Sequence, residues 1–125
     1  MGLLSGMMGN AGVVAAEDLQ ADYGKLLAEE EVIEVGFRVL RDTFIFTDKR
    51  VILVDIQGLT GKKTEYLSIP YSNITKFSIE TAGHFDLDAE LKIWIGSDSV
   101  PISKKFNKKT SIYDLQAVLA NHVLR

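Results

Sequence analysis

The sequence predicts a mainly β protein in which an antiparallel sheet is followed by one amphipathic helix. The first observation is the stretch 44–71, where three β-rich runs are joined by short polar breaks at 47–50 and 57–63. Connections this short pair neighbouring strands antiparallel. Further runs of strand character follow, and the C-terminal segment carries apolar residues at helical spacing. The rest of the chain must therefore cover or close the sheet.

Length and composition limit the class of protein. The 125 residues suffice for one domain with a sizeable core. A net charge of −3 is unlike the basic field that nucleic-acid binding requires, so no nucleic-acid partner is expected. The lack of cysteine excludes disulfides and thiolate metal sites and fits a reducing compartment. Because no apolar run spans a membrane and no basic residue precedes the apolar start, we expect a cytoplasmic protein.

The N-terminal segment 1–30 is predicted to be an apolar, glycine-rich start followed by a helix. Apolar residues recur at helical spacing between Val13 and Glu30, which predicts a helix over that range. Three glutamates at 29–31 are unfavourable for the helix dipole and indicate its end. Four large apolar side chains at the start are costly to leave in water, so we expect them to dock on another surface: Leu3, Leu4, Met7 and Met8.

Seven runs of strand character follow. Residues 32–41 alternate between an apolar and a more polar face, which is typical of a half-buried strand. Residues 51–56 are apolar on both faces, which indicates that something packs on each side. Pro70 ends the run that begins at Thr64, and because proline suits sheet edges, this run is our candidate edge strand. The predicted strands are 32–41, 43–47, 51–56, 64–69, 74–81, 89–96 and 100–106.

The final segment is predicted to be a helix that begins after Ser111 and extends to about Leu124. Ser111 has the character of an N-cap, and Asp114 stands at the third position of a short capping box. His122 falls on the apolar face, where a histidine is more often a packed residue than a catalyst. The sequence has no G-x-S-x-G nucleophile pattern and gives no positive reason to expect an enzyme or a cofactor.

Several motifs together resemble those of the bacterial pleckstrin-homology-like domains, long known as a domain of unknown function. The motifs are FTDKRVILVD, QGLTGKK, YLSIPYSNIT, ETAGHFDLDAELKIWI and the N-terminal GLLSGMMGNA, so the resemblance covers nearly the whole chain. It implies a partly open, seven-stranded antiparallel barrel capped by the C-terminal helix, with the N-terminal helix before it. We expect an N-terminal apolar segment and helix at 1–30 and the pleckstrin-homology-like domain at 31–125.

The resemblance also implies a function without catalysis. It implies a closed cyclic ring of identical subunits, five in single-domain members, in which sheets meet edge to edge and present a shared hydrophilic surface to protein partners. Open strand edges give a physical route to such assembly. Apolar side chains beyond one barrel interior would add to the contact, although the N-terminal helix could instead cover them all. The candidate interface residues are Leu3, Leu4, Met7, Met8, Val51, Leu53, Leu67 and Trp94.

Two local motifs invite other interpretations. The loop at 58–64 contains Gly-Lys but lacks the glycine and the Ser or Thr that a phosphate loop requires, so a hairpin loop is expected. His84, Asp86 and Asp88 alternate and could ligate a divalent ion, but no further ligand accompanies them. Aspartates at such corners commonly cap backbone N–H groups, so we expect no metal.

A basic cluster supports an alternative function, a module that binds anionic membrane surfaces. This cluster would act together with the apolar N-terminal segment, since either signal alone is weak. Eukaryotic relatives of the superfold bind phosphoinositides through basic residues at the first hairpin, and here that hairpin is Arg41-Asp42, short and charge-balanced. We therefore expect negligible phosphoinositide affinity, and a solvated lysine turn is the simpler interpretation of the cluster: Lys104, Lys105, Lys108 and Lys109.

Overall fold

The computed structural model describes residues 3–81, 89–107 and 111–125. The described part is mainly β, as predicted, and its strands form two antiparallel sheets with a helix at each end of the chain. In chain order the elements are α1 (Leu3–Met7), β1 (Val13–Ala15), α2 (Ala16–Tyr23), β2 (Ile33–Val39), β3 (Asp42–Thr47), β4 (Arg50–Gln57), β5 (Lys63–Pro70), β6 (Ile74–Thr81), β7 (Ala89–Ile95), β8 (Ile102–Phe106) and α3 (Ile112–Val123).

The two sheets follow the chain order closely. The first sheet has five strands in the order β1-β2-β3-β4-β5, and the second has three in the order β6-β7-β8. Every neighbouring pair is antiparallel, as short connections require. The seven predicted strands are all present, and the described residues contain an eighth, β1.

The helix predicted over Val13–Glu30 is wrong at both ends. Val13–Ala15 is extended and pairs with β2, with Val13 opposite Phe37, because adjacent β-branched valines favour strand geometry where a partner is available. The α-helix covers only Ala16–Tyr23, and a short 3-10 helix at Gly24–Leu26 follows it. The predicted apolar stripe nevertheless packs as one face against the first sheet.

The first sheet is buried on both faces by different partners. Its inner face, which includes Val51 and Leu53, joins residues of the second sheet and α3 in one core. Its outer face, which includes Ile52 and Val54, forms a second cluster beneath α2 and the 3-10 helix. The prediction that β4 has packing on each side is therefore confirmed, and α2 with the 3-10 helix covers the second side.

The N-terminal segment is tied to both the sheet and the last helix. The carbonyl oxygen of Ala11 accepts a hydrogen bond from the Ser111 N–H at 2.8 Å, and that of Gly12 accepts from the Arg38 N–H at 2.8 Å. The Asn10 amide donates to Asp114 Oδ2 at 2.8 Å. Ser111 does occupy the N-cap position, but its side chain makes no capping hydrogen bond, so the predicted capping box is wrong. Asp114 holds the N-terminal segment.

Candidate functional site

A pocket of 370 Å³ lies between α1 and the C-terminal half of α3, beside the start of β2. The register of β2 against β3 shifts between Ile33 and Val35, which makes Glu34 the extra residue of a β-bulge. Bulges redirect a side chain, and here Glu34 lines the pocket. The apolar part of the wall consists of Leu3, Leu4 and Val118, and the polar part of Glu34, Asn121, His122 and Arg125.

His122 is packed, as predicted, and forms one wall of this pocket. Its side chain is 8% exposed, and its Nε2 lies 2.8 Å from Glu34 Oε1. The ring stacks on Tyr71 with centroids 4.1 Å apart and planes within 2° of parallel. The Tyr71 hydroxyl donates to the Thr47 carbonyl oxygen at 2.7 Å, and burial raises the pKa of this phenol well above its usual range. The stack therefore fixes the end of α3 against the first sheet.

A buried carboxylate at Glu31 connects the chain before β2 to the β3–β4 hairpin. The Arg50 guanidinium donates to both of its oxygens, from Nε at 2.8 Å and from Nη2 at 2.9 Å. The Thr47 hydroxyl donates to Oε2 at 2.7 Å, and the Ala28 N–H donates to Oε1 at 2.8 Å. Hydrogen bonds from Arg50 lower the pKa of Glu31 to about 2, against the opposing effect of burial. This arrangement holds the hairpin and offers no open position to a substrate.

The lysines of the predicted basic surface do not act together. Lys104 shares the inner face of β8 with Ile102 and Phe106, and its Nζ lies 3.2 Å from Asp42 Oδ2 and 3.1 Å from Asp55 Oδ2. Burial opposes its charge, but the hydrogen bonds to the two carboxylates prevail and raise its pKa. Assigning Lys104 to an exposed basic surface was therefore wrong.

The remaining lysines leave a reduced basic surface. Lys105 is exposed and lies opposite Glu90 in the β7–β8 register, so its charge has an acidic neighbour. Lys108 and Lys109 lie outside the described residues. A membrane-surface module would need both the lysines and the apolar N-terminal segment. Both features are reduced here, because fewer lysines are exposed and Met7 is buried, at 2% exposure.

Three of the candidate interface residues belong to the core of the chain itself. Met7, Val51 and Leu53 are at most 2% exposed and pack in the inner core, so their assignment to a subunit interface was wrong. The core between the two sheets and α3 absorbs these side chains. Leu3 and Met8 are exposed at 41% and 45%. The other candidates are partly buried: Leu4, Leu67 and Trp94.

Trp94 lies on the polar outer face of β7, as its alternation predicts. Lys76 on β6 is its register partner and places Nζ 4.7 Å from the indole centroid. A register shift between Ile74 and Lys76 makes Thr75 the extra residue of a bulge, and its hydroxyl donates to the Trp94 carbonyl oxygen at 3.2 Å. A cation over an indole face is a modest local stabilisation and leaves the ring partly accessible.

Both sheets end in strands whose outer edges have no partner among the described residues. In the first sheet β1 pairs with β2 alone and β5 with β4 alone, and in the second β6 and β8 each pair with β7 alone. The candidate edge strand Thr64–Ile69 lies within β5, so the prediction that it is an edge is confirmed. Such edges expose backbone N–H and C=O groups that can pair with another chain.

The other sequence motifs have structural explanations or fall outside the description. The loop at 58–62 connects β4 to β5 as an ordinary hairpin loop, followed by a strand as expected. The described residues contain no group of three or more potential metal ligands, while His84, Asp86 and Asp88 lie outside the described ranges. None of the helices described is long and apolar enough to cross a membrane.

Sequence reasoning missed two features of this geometry. The Glu31–Arg50 pair joins positions 19 residues apart, and no local pattern distinguishes Glu31 from the two glutamates before it. The bulge at Glu34 also leaves no mark in the alternation of β2. By contrast, the inward position of Lys104 had a signal, because it alternates with Ile102 and Phe106, two apolar residues.

Comparison with known proteins agrees with this architecture. The chain is 54% identical over 121 residues to YjqA of Bacillus subtilis (strain 168), covering 96% of this chain and 97% of YjqA. A crystal structure of a pleckstrin homology domain from Shewanella amazonensis SB2B superposes with a TM-score of 0.85 at 43% identity, covering 99% of this chain and all of that one.

A second solved structure and a family profile complete the comparison. The crystal structure of a DUF1696 family protein with a pleckstrin-homology domain, from Shewanella loihica PV-4, has a TM-score of 0.77 at 45% identity, covering 92% of this chain and 98% of that one. The sequence profile of the bacterial PH domain matches residues 2–123. The chain therefore belongs to the bacterial pleckstrin-homology domain family.

Proposed function

We propose that this protein is a non-enzymatic, cytoplasmic module that closes into a ring of five identical subunits and mediates contacts with other proteins. The observation that carries the proposal is the free edge of β5. This strand pairs with β4 at eight consecutive positions, from Lys63 to Pro70, without a register shift. Its other edge has no partner among the described residues.

A long, regular and uncovered edge favours pairing between chains. Natural proteins usually protect such edges with bulges, proline or a covering element, and in β5 the one proline stands at the final residue. The other terminal strands among the described residues differ from β5, because β6 is bulged at Thr75, β1 has three residues and β8 has five, so no second edge is equivalent to that of β5. Contacts between non-equivalent surfaces run head to tail and close into a ring when the rotation per subunit divides the circle.

A ring of this kind would serve protein binding. Each copy would carry the same polar outer face on its second sheet, with Lys76, Lys92 and Trp94 on adjacent strands. Repeated weak sites around one axis raise avidity for a partner that can reach several of them. The membrane-surface alternative has less support, because Lys104 is paired with two aspartates and Met7 is buried.

Proline substitution along β5 tests the proposed edge contact. Neighbouring residues of a strand direct their N–H groups to opposite sides. Of the variants Thr64→Pro and Glu65→Pro, one therefore removes a hydrogen bond to β4, and the other removes an N–H group that points outward. Both side chains are exposed, which keeps the core unchanged. We expect the two variants to differ in melting temperature, and the more stable one, which keeps its bonds to β4, to lose the oligomer in size-exclusion chromatography with light scattering.

The pair of variants is its own control. The more stable of the two variants identifies the outward N–H without any assumption about geometry. If that variant also retains the wild-type oligomer, pairing through the β5 edge is wrong.

A further inference from the structure

The pocket beside α3 and the loop between β4 and β5 lie at opposite ends of the first sheet. Glu34, at the start of β2, lines the pocket. The Ile56 N–H donates to Asp42 Oδ1 at 2.9 Å, which fixes the far end of β4 beside the turn that follows β2. Since β2 has seven residues, roughly 23 Å of strand separates the pocket from the loop, and the two cannot meet within one chain.

Leu59 projects from this loop and is fully exposed, at 104%. A single exposed leucine is common on protein surfaces. Here the loop conformation around it depends on glycine, because Gly58 and Gly61 adopt φ values of 80° and 69°, which side chains rarely allow. The loop leads directly into the free edge of β5, so Leu59 adjoins the surface already proposed for self-association.

We propose that Leu59 of one copy inserts into the pocket of the neighbouring copy, between Leu3, Leu4 and Val118. This inference rests on the proposed self-association and specifies one of its contacts. A projecting apolar side chain and a pocket with an apolar part of its wall elsewhere on the same molecule form a head-to-tail contact. The pocket volume of 370 Å³ is at the lower end of the range for specific binding sites, which suits one aliphatic side chain and part of its loop.

The charges at the two surfaces are complementary. Lys62 is exposed and lies three residues after Leu59, within the same loop. The Glu34 side chain is 29% exposed at the pocket, and its contact with His122 uses Oε1, so Lys62 of the inserted loop would meet a carboxylate there. On the other side of the pocket, Arg125 can donate to the carbonyl oxygens of the inserted loop.

Disulfide trapping tests this contact, because the natural chain has no cysteine. Leu59→Cys and Asn121→Cys place single thiols on the loop and in the pocket wall, both at exposed positions. We expect mixed oxidation of the two single variants to give a covalent heterodimer. The matched control replaces Asn121→Cys by Tyr113→Cys, which is 67% exposed on the same helix but does not line the pocket.

The double variant Leu59→Cys/Asn121→Cys distinguishes this contact from the ring. A ladder of covalent species ending at five chains supports both. A product that stops at two chains supports the pocket contact and contradicts the ring. Leu59→Ala should weaken association about tenfold to a hundredfold while preserving the melting temperature of the monomer.

Two results would overturn the inference. If the Asn121→Cys and Tyr113→Cys mixtures yield equal amounts of heterodimer while the wild type is oligomeric, Leu59 does not enter the pocket, although the ring remains. If the wild type is a monomer at every concentration, the pocket contact and the ring are both wrong.

Discussion

The charge of Glu31 is strongly coupled to the fold. Its side chain is 1% exposed and accepts hydrogen bonds from Arg50, Thr47 and the Ala28 N–H. The lowered pKa, about 2 against a usual value of 4.5, means that the folded state holds the carboxylate ionised more firmly than the unfolded chain does. A depressed pKa contributes stability above the unfolded value, and that contribution is lost as pH falls.

We therefore expect the free energy of unfolding to fall between about pH 4.5 and pH 2 by about 3 kcal/mol through this one group. Urea unfolding followed by Trp94 fluorescence at a series of pH values measures it. The difference in stability between wild type and Glu31→Gln should be largest at neutral pH and should shrink across the same interval.

Glu30→Gln is the matched control, since Glu30 is the exposed neighbour of Glu31. It should unfold with the same pH dependence as the wild type. A constant difference between wild type and Glu31→Gln from pH 6 to pH 2 would show that the pair with Arg50 is not what couples the fold to pH.

At the scale of elements, the contact of α2 with β2 depends on one glycine. A Cβ added to Gly36 would lie 2.5 Å from Leu19 Cδ1 and 3.1 Å from the Phe44 carbonyl oxygen. Leu19 is 1% exposed and has little room to move. We expect Gly36→Ala to destabilise the fold by about 1–3 kcal/mol, measured by thermal or urea unfolding.

A double-mutant cycle isolates this contact. Leu19→Ala alone should cost about 2–5 kcal/mol by leaving a cavity. In Leu19→Ala/Gly36→Ala the new methyl group meets no leucine, so the second substitution should cost less than it does in the wild type. Additive effects would mean that the glycine is required by something other than Leu19.

Local patterns predicted most of the elements, because alternation and helical spacing follow from how each segment is buried. All seven predicted strands and the last helix are present. Val13–Ala15 could not be recognised as a strand, since its extended form depends on the distant edge of β2. The division of the predicted helix by Gly24 likewise reflects packing of a 3-10 helix on the first sheet.

The candidate site was less predictable, because it depends on which elements meet. The alternation of β8 places Lys104 inward, but its partners Asp42 and Asp55 belong to the other sheet. The pocket joins α1, β2 and α3, which are far apart in sequence. Some apolar residues, such as Val51, were predicted to lie outside the core. They pack instead in a core that also contains Met7.

At the scale of the whole molecule, the two apolar cores are covered within one chain, while backbone edges are not. The outer face of the first sheet is closed by α2 and its inner face by the second sheet and α3. Among the described strands, β1 and β5 in the first sheet and β6 and β8 in the second each pair on one side only. We therefore expect assembly to rely on strand edges and a few peripheral apolar side chains such as Leu59 rather than on a large apolar face.

The mass of the wild-type protein in solution tests this account most directly. Sedimentation equilibrium over a wide range of protein concentration measures it without reference to shape. The account predicts a species of about 70 kDa, five times the chain mass of 13.9 kDa. This species should persist on dilution, because a specific interface remains associated at concentrations where weak, non-specific contacts dissociate. A single species of 13.9 kDa at every concentration would contradict it.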